Sequence, residues 1–315
     1  MKENSDTQTS ESNKNDVEID LKEIFNILWD SKKLFIFIVS LFAISSVFYS
    51  LSLPNVYQSD AILSPVEKKD LSSTISNSGL ASLAGINLNS DASDSNEAKA
   101  LKKVTTLSFF TDNILPNIYL PNLMAFDSWD RATNKITYNE NIFNSTNDSW
   151  VRNFESPGTQ IPSAQESFNV FVNNHLRVSE DKDKGFIIIG IKHQSPHIAQ
   201  TWTDLIVKEL NYFFKTKDKI EAQAAMEYLN NQMIKTSFAE IKQVIAELLK
   251  ENTQILTLIE VSDFYVFEYI DPPVVMEKKI GPSRSLICIF GTFLGLIISI
   301  VVVLFRSYIT TKSKD

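Results

Sequence analysis

The chain has 315 residues, a formal net charge of −8, three histidines and a single cysteine. An acidic chain lacks the basic surface that displaces counterions from phosphates, which argues against nucleic-acid binding. The lone Cys288 excludes an intrachain disulfide and a cysteine-built zinc site.

Residues Met1 to Asp16 are polar and rich in Ser, Asn and acids, the composition of a disordered tail. From Val17 to Trp29 the apolar residues Leu21, Ile24, Phe25 and Leu28 fall at helical spacing, which predicts a short amphipathic helix at a membrane surface or a simple extension of the next apolar run. Leu34 to Leu53 is an uncharged apolar run of twenty residues, preceded by Lys32 and Lys33. At ~1.5 Å per residue, a helix of that length crosses ~30 Å of hydrocarbon. It is too long for a signal-peptide core and lacks an Ala-x-Ala-like exit, so a span is expected rather than a cleaved leader. A second run of twenty, Leu286 to Phe305, lies between Arg284 and Arg306. Two spans put both termini on one side and hold a 232-residue segment, Pro54 to Ser285, on the other. Within twenty residues of the spans, the terminal side carries seven Lys/Arg and the loop side five, a bias toward cytoplasmic termini.

The central segment holds 22 basic and 29 acidic residues, a net of −7. Val56 to Leu63 reads as a strand, Ser72 to Ser95 as a loop or weak helix, and Glu97 to Leu115 as one helix ended by Pro116. Ile118 to Pro162 sets Trp129, Tyr138, Phe143 and Trp150 among turn formers. It is expected to be an irregular element pinned by aromatics, through core packing or, alternatively, sugar stacking. Ser163-Ala-Gln-Glu166 has the form of a capping box before a helix to about Asn174. Leu176–Ser179 and Phe186–Lys192 form a hairpin around a charged turn; its acids lack the closing Glu of a calcium loop.

Ser195 and Pro196 open the next helix as cap and first residue. From His197 to Asp271 there is no Gly or Pro, yet Phe264 to Ile270 again reads as a strand. If that strand joins the sheet of Phe186–Lys192, the helical region must fold back, with the break expected between Asn231 and Ser237. The return helix carries Phe238, Ile241, Ile245, Leu248, Asn252 and Ile255 at three- and four-residue steps. The outgoing helix carries Trp202, Ile206, Phe213, Ile220 and Ala224, a seam suited to a helical hairpin or a neighbouring subunit. Pro272, Pro273 and Pro282 make a stiff approach to the second run. Inside it, Gly291-Thr-Phe-Leu-Gly295 is a small-xxx-small motif suited to close helix approach. Gly295→Leu is expected to loosen subunit association.

No phosphate loop, GxGxxG or GxSxG occurs. Pro196 separates His193 from His197 at a strand-to-helix junction, so the two do not share a helical face, and His175 reads as a surface or core residue. No active site, metal or cofactor is legible.

Several features occur in order along nearly the whole chain. They are the leader ending in Trp29 and Lys32-Lys33, then Leu53-Pro-Asn-Val-Tyr57, Ser78-Gly-Leu-Ala-Ser-Leu-Ala-Gly85, Ser195-Pro196 and Tyr269-Ile-Asp-Pro-Pro-Val-Val275. Together they resemble the polysaccharide co-polymerases, in particular the O-antigen chain-length determinants of Wzz type. The resemblance implies an α+β fold in which two transmembrane helices flank a periplasmic α/β base domain with an extended helical hairpin. It also implies a bacterial inner-membrane protein that is not an enzyme. Such a protein acts as a homo-oligomer with a separate O-antigen polymerase, and with lipid-linked polysaccharide, to set the modal length of lipopolysaccharide O-antigen.

On that pattern the divisions are a cytoplasmic tail with amphipathic helix over 1–33, a span over 34–53 and the base domain over 54–196. The hairpin follows over 197–258, a base strand with juxtamembrane segment over 259–285, the second span over 286–305 and a tail over 306–315. Met276 and Lys279 stand where the family often has further prolines, and the helical region is short for a long arm. Capsule or exopolysaccharide relatives often carry a cytoplasmic kinase, which ten residues after Phe305 would not hold. A capsule or exopolysaccharide co-polymerase is the alternative reading.

Overall fold

A computed structural model describes residues 28–66, 96–181, 184–262 and 264–312. The expected disordered tail, most of the leader helix, the Ser72–Ser95 loop and the Ser78–Gly85 motif lie outside the described residues. In chain order the elements begin with α1 (Lys32–Ser52), β1 (Tyr57–Pro65) and α2 (Asn96–Val104). Two short helices follow, α3 (Leu107–Phe109) and α4 (Leu120–Met124), then the small strands β2 (Phe126–Asp130), β3 (Lys135–Tyr138), β4 (Phe143–Asn144) and β5 (Ser149–Trp150). Next come α5 (Ala164–Val170), β6 (Leu176–Asp181), β7 (Phe186–His193) and α6 (Pro196–Lys235). The chain closes with α7 (Ala239–Val261), β8 (Phe267–Asp271) and α8 (Arg284–Lys312). It divides into two compact units, residues 1–53 with 282–315, and residues 54–281.

The first unit is a pair of membrane-length helices. Both runs read from the sequence are helical, and α8 extends past its apolar run at each end.

The second unit is built on a four-stranded antiparallel sheet of order β6-β7-β1-β8. Along β1 the residues Tyr57, Ser59, Ala61 and Leu63 are buried while their neighbours are half-buried. On β7 the buried set is Ile187, Ile189, Ile191 and His193. This period of two leaves one face of the sheet to be covered. The start of α6 covers it with Ile198, Ala199, Trp202, Ile206, Val207, Leu210 and Phe214, spaced at helical intervals and all buried. Thr203 in the same stripe sets its hydroxyl 2.8 Å from Ala199 O and 3.0 Å from Ser59 O, so its proton has an acceptor in the buried layer. The residues from His197 to Phe214, expected in the hairpin, thus form the helical layer of the sheet domain.

Ser195 caps α6, its Oγ accepting from Ile198 N–H, and Pro196 occupies the first turn. The helix runs to Lys235 and the chain reverses through the extended residues Thr236–Phe238. Asn231 stays helical, and Phe238 occupies the cap position of α7 with no side-chain bond. Beyond the sheet, residues 215–235 of α6 and the 23-residue α7 are matched in length, about 32–35 Å each.

The seam between them is rotated from the expected one. Ile220 and Ala224 are exposed, whereas Phe214 and Ala222 are buried against the return helix side, which contributes Ile245 and Ile259. The physical reason is helical phase: Phe214 lies about 40° from Leu210, on the side facing the sheet, whereas Phe213 lies about 100° and Ile220 about 120° from Phe214. Phe213 instead packs edge-on to Phe109, with the Lys103 ammonium over its ring. On α7, Phe238 and Ile241 are exposed, and Leu248, Asn252 and Ile255 are half-buried.

The single helix expected over 97–115 is broken. Thr106 adopts extended backbone, and its hydroxyl accepts from Phe109 N–H to cap α3, after which Phe110–Ile114 form a wide turn with an extra residue per turn. A β-branched hydroxyl residue competes for backbone hydrogen bonds and favours such a cap over a helix interior. At α5, Ser163 Oγ accepts from Glu166 N–H as the capping box requires, but the Glu166 carboxylate turns away to a bidentate pair with Arg152.

The return from α7 to the sheet is held by Asn211. Its Oδ1 accepts from Tyr265, Val266 and Phe267 N–H at 3.0, 2.8 and 3.0 Å, and its Nδ2 donates to Phe267 O at 3.0 Å and Val207 O at 3.2 Å. All of this is buried. Asn211→Leu keeps the volume and strands three backbone donors, so we expect a loss of about 2–3 kcal/mol, read as a fall of about 5–10 °C in apparent Tm by tryptophan fluorescence. An unchanged Tm would show that the clamp is not a principal tie.

Candidate functional site

With no catalytic constellation in the sequence, the residues singled out are those that join the spans and the domain. Gly291 and Gly295 lie on the face of α8 that meets α1. A Cβ at Gly291 would overlap Ser46, and one at Gly295 would lie 2.7 Å from Phe42 Cβ and 3.6 Å from Val39 Cα. Ser299 and Val303 continue the stripe at four-residue spacing and are fully buried. The small-residue face is therefore filled by α1 of the same chain. The partner of that face is what the sequence motif leaves open, since small residues permit close approach by any helix.

Pro272, Pro273 and Pro282 border the junction where the two ends of the central domain meet. Val56 N–H donates to Gly281 O at 3.0 Å and Ile280 N–H donates to Val56 O at 2.9 Å. Lys279 Nζ adds a bond to Asn55 Oδ1 at 2.8 Å. Upstream, Ser59 Oγ donates to Val274 O at 2.8 Å and Gln200 Nε2 to Pro273 O at 3.5 Å. The Pro272–Pro273 stretch is thus docked along β1 and the start of α6.

At the other edge of α6, His193 and His175 stack with ring centroids 5.4 Å apart, and both rings meet Trp202 edge-on. Ser195 N–H donates to His193 Nδ1 at 2.9 Å, so the proton sits on Nε2, which donates to Asn122 O at 3.1 Å. His193 is a neutral core residue that helps form the cap of α6. Burial and the neighbouring His175 push its pKa down to about 3, and burial pushes His175 down as well. His197 is exposed beside Trp129. Among the described residues no group of three or more His, Cys, Asp or Glu could hold a metal ion.

The aromatics of 118–162 belong to two small hairpins, β2–β3 and β4–β5. Tyr119, Tyr138, Phe143 and Trp150 pack edge-to-face at centroid separations of 5.2–6.2 Å around the buried Phe143. Tyr119 donates its hydroxyl to Asp148 at 2.6 Å, and that bond raises its pKa to about 12. Sequence reasoning missed the His175–His193 stack and the Asn211 clamp, because both join residues distant in the chain and carry no local motif.

In sequence, two membrane-length helices flank an α+β domain that carries a helix pair. Residues 17–113 match the family model "Wzz: Chain length determinant protein". That stretch, which holds the first membrane-length run and β1, is similar to this family of chain-length determinants. No curated protein matches it in sequence. Among solved structures it is similar to a full-length bacterial polysaccharide co-polymerase at 12% identity and a TM-score of 0.39, covering 93% of this chain and 99% of that one. A fragment of WzzB, a polysaccharide co-polymerase from Salmonella Typhimurium, gives 11% identity and a TM-score of 0.30, covering 72% and 100%. At such TM-scores the likeness to these structures carries no argument about this chain.

Two outcomes are expected from this geometry. Gly295→Leu should first separate α1 from α8 at a cost of about 1–3 kcal/mol. The separation would broaden the spin-label distance distribution between Leu51→Cys and Leu286→Cys in a Cys288→Ser background; an unaltered distribution would refute close packing at that position. For His193 the folded pKa lies below the unfolded value, so its contribution is full above about pH 6.5 and is lost as pH falls toward 3. Stability should drop by about 2 kcal/mol between pH 7 and 5, a window above most carboxylate titrations, and His193→Gln should flatten that drop in apparent Tm.

Proposed function

We propose that this chain is an inner-membrane scaffold that sets the modal chain length of lipopolysaccharide O-antigen made by a separate polymerase. The observation that carries the reading is the family match over residues 17–113, which includes the first apolar run and the start of the sheet domain. The seven-to-five excess of Lys/Arg on the terminal side supports cytoplasmic termini and a periplasmic central domain. In this reading residues 54–214 and 259–285 form the periplasmic base, 215–258 the hairpin, and 34–53 and 286–305 the spans between cytoplasmic tails. The protein assembles with copies of itself and works beside the O-antigen polymerase on lipid-linked polysaccharide. Gly291 and Gly295 hold the spans at the spacing the assembly uses, and Pro272, Pro273 and Pro282 keep the juxtamembrane connection stiff.

Deleting the gene from the bacterium that carries it and resolving the lipopolysaccharide on a gel tests the reading. The modal cluster of O-antigen bands should collapse to an unregulated ladder that weakens steadily with length, and the plasmid-borne gene should restore the mode. A ladder that keeps its mode, with surface capsule or exopolysaccharide lost, would replace O-antigen with those polymers as the target.

A further inference from the structure

The junction between the central domain and α8 carries an exposed apolar segment next to basic residues. Val274, Val275, Met276 and Ile280 are 55%, 41%, 38% and 49% exposed, on a stretch whose backbone is otherwise fixed by the bonds to Val56 and Ser59. Apolar side chains held out in this way are not explained by the domain core. The same stretch reverses the charge of its domain. Residues 276–285 hold Lys278, Lys279 and Arg284 against Glu277, a net of +2, whereas the whole central segment is −7, leaving −9 for residues 54–275. Two short tethers fix where it can lie. Gly281 is three residues from Arg284, the first residue of α8, and its partner Val56 is three residues from Leu53, at most about 11 Å of chain each.

We propose that Val275, Met276 and Ile280, with Lys278 and Lys279, form a docking surface for the phosphate-bearing headgroup layer of the bilayer that α8 enters. The apolar side chains insert at the boundary between headgroups and acyl chains, and the ammonium groups pair with lipid phosphates. Lys279 keeps one donor on Asn55 and has two more to offer. Glu277 faces the same layer and is the one opposing charge between Met276 and Arg284. The segment is thereby continuous with the membrane contact of α8, and it rests on the reading of α8 as a span.

The test uses the full chain in vesicles with about one third phosphatidylglycerol. In a Cys288→Ser background, single cysteines Met276→Cys and Ile280→Cys carry an environment-sensitive fluorophore. Ile234→Cys at the hairpin end serves as the exposed control and Phe293→Cys as the span control. A nitroxide on the lipid headgroup should quench positions 276 and 280 at least about threefold more than position 234. Lys278→Glu with Lys279→Glu should lower that quenching at least about threefold in the acidic vesicles, and little in pure phosphatidylcholine.

Quenching at 276 and 280 equal to that at 234 overturns the proposal. So does a shielded fluorophore that lipid nitroxides do not reach, the sign of a second copy or another protein on the patch. If a deep-chain nitroxide fails to quench position 293, the span reading falls and takes this proposal with it, whereas quenching at 293 alone rejects only the docking surface. In the unsubstituted chain, Lys278 should react with a water-soluble acylating reagent about threefold slower, relative to Lys235, in acidic vesicles than in phosphatidylcholine. Equal ratios count against docking even if the labelled variants misfold.

Discussion

One buried side chain decides whether the central domain closes. A strand that comes after a long helical excursion returns with unpaired backbone groups and no local partner, and leaving them unpaired in a core costs more than most single contacts gain. Asn211 meets that need from within α6, offering one acceptor to three successive N–H groups and one amide donor to Phe267 O. A carboxamide presents both on separate atoms: Asp lacks the donor, and Gln is longer by one methylene. The clamp sits four residues after Val207 and three before Phe214, where α6 leaves the sheet and becomes the hairpin. It therefore marks the point at which the excursion begins and the point to which it must return.

What the clamp aligns is β8 against β1, and through β8 the approach to α8. Tyr265 and Tyr269 reinforce it by donating their hydroxyls to Asp218 and Asp204 on α6, at 2.5 and 3.0 Å. Burial raises the pKa of both phenols, and the acceptor carboxylates raise them further, so neither bond is lost to deprotonation near neutrality. Lys219 and Glu260 pair across the hairpin beyond them, an exposed contact of small energetic weight. The order of importance follows burial: Asn211, then the tyrosines, then the ion pair.

The features legible in the sequence were those with local chemical grammar. Two uncharged runs of twenty, the Ser195-Pro196 start, the hairpin closed at Gly185 with its φ of +70°, and the need for the helical region to double back all derive from neighbours in the chain. The failures are equally physical. The 97–115 helix broke because Thr106 could cap a new helix more favourably than it could sit inside one. The outgoing stripe went astray past Ile206 because periodicity alone does not choose between Phe213 and Phe214, and the sheet, through Leu210, selects Phe214. The junction residues Pro272, Pro273 and Pro282 could be singled out as stiff, but not the carbonyls beside them that Ser59 and Gln200 engage. Likewise Gly291 and Gly295 announced a close approach without naming the helix approached.

That last pair bears on what connects the two units. Anything passed between the membrane and the central domain must cross two connections, Pro54-Asn55 and Pro282-Ser283. On one side of them α1 and α8 are packed at glycine contact, and on the other Val56 and Gly281 are bonded to each other. A connection of two residues that includes a proline, with fixed φ and no N–H, has little freedom to absorb displacement. Stiffness upstream does not depend on a longer proline run either, since Val274 is held by its carbonyl to Ser59, and Ser59 O in turn accepts from Thr203 on α6. Along this stretch the hydrogen bonds from Ser59 to Val274 O and from Lys279 to Asn55 supply a restraint that does not depend on proline rings. The rigidity of the tether is then a property of the folded domain, and weakening the sheet should loosen the tether with it.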